Sequence, residues 1–243
     1  MGEILTGQTA LVTGASSGIG RAIAVGLARN GASVCLLGRD EPRLRMTTNL
    51  ASRTVSKVRI YRADFSSKQD LSRVVLRLQQ DVRRLHILVH AAGEIAVGDI
   101  LSSTATSFDL QYRVNLRAPY VLTHSLLPQL TICQGQVVFI NSSMGVQTKA
   151  NVSQYAATKH GLKAMADTLR QEVNDKEVRV LSVFAGQTAS AMQEKLYRQA
   201  KRPYDPKSLL QPEDIASMVI SALVLPRTAE VTDIHVRPLK KGA

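Results

Sequence analysis

Residues Thr9 to Thr13 form a short β-branched, apolar run that leads without a linker into Thr13-Gly14-Ala15-Ser16-Ser17-Gly18-Ile19-Gly20, and a helical pattern follows to about Asn30. A strand, a glycine-rich turn and a helix in direct succession commit the chain to a β-α unit, whose helix packs back on a sheet and feeds a parallel neighbour. The rhythm then repeats to the C-terminus. Strands are expected near Thr9 to Thr13, Ser33 to Leu37, Val58 to Ala63, Ile87 to His90, Gln136 to Asn141, Val178 to Phe184 and Val231 to Val236. Helices are expected near Ile19 to Asn30, Glu41 to Ser52, Lys68 to Arg84, Thr104 to Leu130, Ser153 to Asp175 and Pro212 to Leu225.

This pattern predicts an α/β fold: a doubly wound, Rossmann-type parallel sheet of about seven strands with helices on both faces, its order beginning 3-2-1-4. A chain of 243 residues with 44% hydrophobic content suits a single domain over 1–243, with no repeat or linker to divide it. No apolar run is long enough to span a bilayer and no leader pattern opens the chain, so a soluble, cytoplasmic protein without a membrane partner is expected. Cys35 and Cys133 lack metal-ligand or redox spacing and lie in or beside apolar segments, which predicts buried free thiols and no metal site. The formal charge of +12 raises the question of nucleic acid. The basic residues are spread along the chain, however, and only 4% of residues are aromatic, so no specific nucleic-acid binding is expected.

Several short motifs carry chemistry. The glycines of the first loop let the backbone approach a pyrophosphate at the N-terminus of the helix that follows, although their spacing is G-x-x-x-G-x-G rather than G-x-G-x-x-G. Tyr155-Ala156-Ala157-Thr158-Lys159 sets a phenol and an ammonium on one helix face. A cation beside a phenol stabilises the phenolate, and a tuned phenol that exchanges a proton with a carbonyl oxygen is what hydride transfer asks of a protein. Asn115 is a polar amide amid apolar neighbours in a long helical pattern, where an Asn is a poor helix former. Asn141-Ser142-Ser143 places hydroxyls at a strand end, where open α/β sheets bind ligands.

Together these motifs resemble the short-chain dehydrogenase/reductase family, over nearly the whole chain and more weakly beyond about Gly186. The resemblance implies a catalytic set of Asn115, Ser142, Tyr155 and Lys159. Ser142 rather than Ser143 is chosen because it lies thirteen residues before Tyr155, the family separation. Tyr155 is the implied acid and base, Ser142 holds the substrate oxygen, and Lys159 lowers the phenol pKa and holds the nicotinamide ribose. The main-chain carbonyl of Asn115 would hold a water that links Lys159 to solvent. For the cofactor the resemblance implies Gly14, Ser16, Ser17, Gly18, Ile19 and Gly20 in the first loop. It adds Asp64 and Phe65 after the third strand, with Asp64 at the adenine amino group, and Ala91, Ala92 and Gly93 after the fourth. Gly186, Thr188 and Ser190 follow the sixth strand. His90 stands where the family usually has Asn and is expected to be structural, with a hydrogen bond across the sheet as its alternative. Ala185-Gly186-Gln187-Thr188-Ala189-Ser190 lacks the proline of the family turn, which should loosen it. Residues 188–205 match the variable substrate lid. The ending lacks V-D-G-G, which counts against an acyl-carrier substrate.

Gly38 and Arg39 end the second strand, where a carboxylate would select NAD; a guanidinium there suits a 2′-phosphate instead. The expected activity is NADP(H)-dependent hydride transfer between nicotinamide and a ketone, aldehyde or secondary alcohol. A cofactor-binding sensor or scaffold without turnover is the alternative. Glu94, Met144, Val146, Gln147 and Gln187 are candidate pocket-wall residues. The resemblance and the long apolar-striped helices imply a homodimer or homotetramer.

Overall fold

The computed structural model describes residues 4–52 and 57–239. In chain order the elements are β1 (Thr9–Thr13), α1 (Gly18–Arg29), β2 (Ser33–Gly38), α2 (Glu41–Ala51), β3 (Val58–Arg62), α3 (Lys68–Asp81) and β4 (Ile87–His90). There follow α4 (Ala105–Tyr112), a wide π turn over Arg113–Arg117, α5 (Ala118–Ile132), β5 (Gln136–Ser142), α6 (Ser153–Val173) and β6 (Arg179–Ala185). The chain then forms α7 (Ala191–Gln199), α8 (Pro212–Leu223) and β7 (Asp233–Val236).

All seven strands pair in parallel in one sheet, in the order β3-β2-β1-β4-β5-β6-β7. The expected order and strand number are thus observed. Alternation along each strand divides the core in two. Leu11, Leu37, Tyr61, Val137 and Phe139 face one layer, built from α3, α5 and α6 through Leu78, Leu122, Leu126, Leu162 and Val173. Their neighbours Val12, Leu36, Val89, Val138 and Val183 face the other, built from α1, α2 and α8 through Ile23, Leu27, Leu44, Ile215 and Val219. Strands buried on both faces read as near-continuous apolar runs, which is why their positions were legible.

Helix starts follow local chemistry. Asp40, Ser67, Thr104 and Ser190 each accept a hydrogen bond from a first-turn main-chain N–H of α2, α3, α4 and α7. Gln211 and Asp214 bond reciprocally at the head of α8, with Pro212 at its first position.

The structure corrects two expectations. The segment Thr104 to Leu130 is not one regular helix, because the π turn at Arg113–Arg117 inserts between α4 and α5. Residues 188–205 include α7. α3 stops at Asp81, where its carboxylate accepts a hydrogen bond from the Tyr61 hydroxyl at 3.1 Å. Both cysteines are free, but only Cys35 is buried, and Cys133 at the end of α5 is half-buried. Among the described residues no helix is long and apolar enough to cross a membrane. The basic pair Lys240-Lys241 lies outside the described residues.

Candidate active site

The C-terminal ends of β1, β2, β4 and β5 meet where the strand order reverses about β1, and there the loop after β1 is drawn hard against β4. Gly14 has φ +65°, and a Cβ on it would lie 2.8 Å from Ala91 O and from Ala92 N, so no larger residue fits without a shift. The Thr13 hydroxyl oxygen accepts hydrogen bonds from Ala91 N at 3.0 Å and Ala92 N at 3.2 Å, which ties the two strand ends together. From outside, Thr47 on α2 donates to Ala15 O at 2.9 Å and accepts from Arg21 Nε at 3.1 Å, while Arg21 Nη2 donates to Ser16 O. Arg21 and Thr47 are supports that sequence reasoning missed, whereas Thr13 was read only as the residue that opens the glycine loop.

This loop fits a nucleotide pyrophosphate. The first-turn N–H groups of α1 have no intrahelical acceptor, and the Ser17 side chain caps none of them. Ser190, the cap of α7, packs over the same turn: a Cβ on Gly18 would be 3.6 Å from the Ser190 Cβ. Ser190 is therefore brought to the loop. Thr188 is buried, and its hydroxyl donates to Gly186 O at 3.1 Å, which turns it inward. Gly186 N donates to Val236 O at 2.7 Å, and a Cβ on Gly186 would lie 3.1 Å from Arg237 Cα. The glycine is thus accounted for by the neighbouring strand, and that bond ties down the turn that the absent proline was expected to loosen.

Beyond β2, Gly38 ends the strand and Arg39 projects into solvent, 66% exposed, with Nη2 3.8 Å from Glu94 Oε2. Glu94 thus extends toward the end of β2. The Asp64 carboxylate accepts from Ser66 N at 2.9 Å and Ser66 Oγ at 2.7 Å. Partial burial opposes its ionisation, but these bonds and the charges of Arg39 and Arg62 outweigh that and hold it below the usual carboxylate range. The Phe65 ring is buried in the core under α3, so only its main chain faces outward chemistry.

At the end of β4, His90 is buried and stacked on Phe139, ring centroids 5.0 Å apart. Its Nε2 lies 2.9 Å from Thr123 Oγ1 on α5, so the ring bonds to a covering helix and not across the sheet. Burial pushes its pKa down to about 3, which leaves it neutral at ordinary pH. Asn115, in the π turn, is fully buried. Its Nδ2 donates to Glu94 O at 2.8 Å and Thr158 Oγ1 at 3.0 Å, and its Oδ1 accepts from Glu94 N at 2.7 Å.

Ser142, Tyr155 and Lys159 come together between β5 and α6. Ser142 Oγ accepts from Met144 N at 3.2 Å and stands beside the Tyr155 side chain. Ser143 begins the short 3-10 turn Ser143–Gly145, as expected of the hydroxyl not chosen. Lys159 is buried; its Nζ donates to Ile140 O at 3.0 Å and lies 5.7 Å from the Tyr155 ring centroid. Desolvation raises the Tyr155 pKa, with the Ser142 side chain opposing, and desolvation lowers that of Lys159 to about 8. Burial is thus the larger influence on both groups in this arrangement, with the ammonium resting on a carbonyl. Asn141 Nδ2 donates to Lys159 O at 3.1 Å, and its Oδ1 accepts from Ser142 N at 2.8 Å. It is a further support that the sequence showed only as part of a strand end.

Over this site, Met192 of α7 reaches β4: a Cβ on Gly93 would be 4.0 Å from Met192 Cε and 3.8 Å from Asn115 Oδ1. Gln187 Oε1 accepts from the Tyr197 hydroxyl at 3.3 Å, so this expected wall residue is engaged in holding α7. Met144 is half-buried; Val146 and Gln147 are exposed.

A seven-stranded parallel sheet with a glycine loop at the head of its first helix defines a Rossmann-type protein. The chain belongs to the short-chain dehydrogenase/reductase family, an oxidoreductase family, since residues 8–201 match the family model described as short chain dehydrogenase. It is 31% identical to an uncharacterised oxidoreductase of Staphylococcus aureus strain USA300, over 97% of this chain and 99% of the relative. Among solved structures it is similar to a short-chain dehydrogenase of Shigella flexneri 2a complexed with NADP, with TM-score 0.87, 29% identity and coverage of 96% and 98%. It is also similar to a metagenomic short-chain oxidoreductase in complex with NADP, with TM-score 0.83, 28% identity and coverage of 98% and 100%.

Buried neutral His90 has a consequence for acid stability. Its folded pKa of about 3 lies below the ordinary value of 6.5, so the unfolded chain binds the extra proton between those values and stability falls as pH drops through that window. Replacing it with the family residue, His90→Asn, should remove about 2 kcal/mol of the loss in unfolding free energy between about pH 7 and about pH 5. Urea unfolding of parent and variant at both pH values checks this; equal losses refute it.

Proposed function

We propose that this chain is an NADP(H)-dependent oxidoreductase that moves a hydride between nicotinamide and a ketone, aldehyde or secondary alcohol. The reading rests on the convergence of Ser142, Tyr155 and Lys159 between β5 and α6, with Asn115 bonded to the same turn of α6. The bound nicotinamide supplies or accepts the hydride. Gly14, Ser16, Ser17, Gly18, Ile19 and Gly20 would hold its pyrophosphate on the head of α1. Asp64 and the main chain of Phe65 would meet adenine, Ala91, Ala92 and Gly93 would floor the groove, and Ser190 would close it from α7.

In reduction, Ser142 and Tyr155 hold the substrate carbonyl oxygen, and Tyr155 gives its proton to that oxygen as negative charge develops there. Raised by burial, the phenol carries this proton at neutral pH. Lys159, whose pKa burial lowers to about 8, would hold the nicotinamide ribose hydroxyls, and its charge beside the phenol would ease proton loss. The main-chain carbonyl of Asn115, in the π turn, would lead the replacing proton in from solvent. Residues 188–205, with Met192 over Gly93, act as the substrate lid. A panel of ketones and aldehydes assayed by NADPH oxidation, and alcohols by NADP reduction, tests the reading. Turnover of none sinks it.

Tyr155→Phe removes the exchangeable proton and keeps the ring. Turnover should fall about 100- to 10,000-fold while NADPH binding survives. Near-parental rates on every accepted carbonyl would show another acid at work.

Cofactor choice rests on Arg39, whose guanidinium would pair with the 2′-phosphate in exchange for its long contact with Glu94. Arg39→Asp should weaken NADPH by about 2 kcal/mol, roughly thirtyfold, with NADH little changed or improved. The ratio of kcat/KM for the two cofactors checks this, and a parent that prefers NADH refutes it.

We place the protein in the cytoplasm as a homodimer or homotetramer. In support, α4 leaves Phe108, Leu110 and Tyr112 exposed, and α5 leaves Tyr120 and Ile132 exposed. Light scattering at micromolar concentration should show an even-numbered assembly, and a stable monomer contradicts it.

A further inference from the structure

Thr158 lies between Tyr155 and Lys159 in sequence and is 2% exposed. Its hydroxyl makes two hydrogen bonds, donating to Tyr155 O at 2.8 Å and accepting from Asn115 Nδ2 at 3.0 Å. A helical threonine often bonds back to its preceding turn, and the first of these bonds would be ordinary alone. The second is not. Asn115 spends its remaining amide hydrogen on Glu94 O and its oxygen on Glu94 N, so every polar atom of that buried side chain is engaged. A continuous line of hydrogen bonds therefore runs from the residue after Gly93, through the π turn, to the first turn of α6.

α6 has a separate attachment to β5, where Lys159 Nζ donates to Ile140 O at 3.0 Å and Asn141 Nδ2 donates to Lys159 O at 3.1 Å. The two attachments have different geometric effects. The β5 attachment holds the Tyr155 turn to Ser142, whereas the line through Thr158 holds it to the end of β4, beside Ala92 and Gly93.

We propose that Thr158 is a positioning residue that sets the Tyr155 phenol relative to the cofactor floor at Ala92–Gly93, with Asn115 as its intermediary. This rests on the proposed oxidoreductase reading. A valine keeps the shape and loses both bonds, leaving an Asn115 amide hydrogen buried without an acceptor. The phenol then shifts against the cofactor while Ser142 remains to bind the substrate oxygen.

The test compares Thr158→Val and Thr158→Ser in the full chain. Thr158→Val should lower kcat about 10- to 100-fold, the scale of a misplacement near 1 Å, with the NADPH dissociation constant within about twofold of the parent. Thr158→Ser, which restores the hydroxyl, should recover kcat to within about threefold. A readout independent of turnover is the ¹³Cζ resonance of Tyr155 in tyrosine-labelled protein, assigned with Tyr155→Phe: it should move in Thr158→Val and return in Thr158→Ser. If the parent reduces no carbonyl, the oxidoreductase reading falls and the resonance alone decides this proposal. Should Thr158→Val not fold, Thr158→Ala is judged by the same criteria. Parental kcat in the hydroxyl-free variant, equal loss in Thr158→Ser, or an unmoved resonance overturns the proposal.

Discussion

The contact between the β1 loop and the end of β4 is the constraint on which the site depends. Parallel pairing of Ala10, Leu11 and Val12 with Ile87, Leu88 and Val89 brings the two strands to a common end, where the order reverses and a crevice opens. Without a Cβ, Gly14 lets main chain meet main chain there, and Thr13 converts the approach into two hydrogen bonds to Ala91 and Ala92. The loop has little freedom to wander, since Thr47 and Arg21 hold its outer side. A rigid loop loses little entropy when an anion settles on the helix head, so the geometry favours binding before any charge is counted.

A second constraint is the burial of α6 against β5. Three successive residues of the strand end serve the helix: Ile140 accepts from Lys159, Asn141 donates to the Lys159 carbonyl, and Ser142 meets Tyr155. Gly145 belongs to this arrangement, because a Cβ on it would stand 2.5 Å from Asn141 Oδ1. A buried ammonium without a carboxylate would be costly, and the carbonyl of Ile140 supplies part of the missing solvation.

Much of this was legible in the sequence because the fold repeats one physical rule. The strands β1 and β4 fell on their expected residues, and the others differ by a residue or two at an end, as the apolar runs demand. Glycine spacing located the first loop, and the serine picked by its separation from Tyr155 is the one that stands beside the phenol. What escaped was set by partners remote in sequence. The π turn depends on an extra residue accommodated where Asn115 turns to Glu94 and Thr158, a choice invisible to helical periodicity. The approach of Glu94 to Arg39, which belongs to a different strand end, was hidden for a similar reason. The desolvation of Tyr155 and Lys159 was not legible either, because a spacing motif reports which charge is near and not what surrounds it.

That last point bears on the direction of the proposed reaction. Burial disfavours the ionised form of either group, so it raises the phenol and lowers the ammonium, and each moves toward neutrality. Reduction needs a protonated Tyr155, which these surroundings provide without help. Oxidation needs the phenolate, whose charge must be offset by a Lys159 that is still protonated, and the two conditions conflict once pH exceeds about 8. Before the cofactor binds, Lys159 is also occupied with Ile140. Burial thus favours the protonated phenol, the form that the proposed reduction uses.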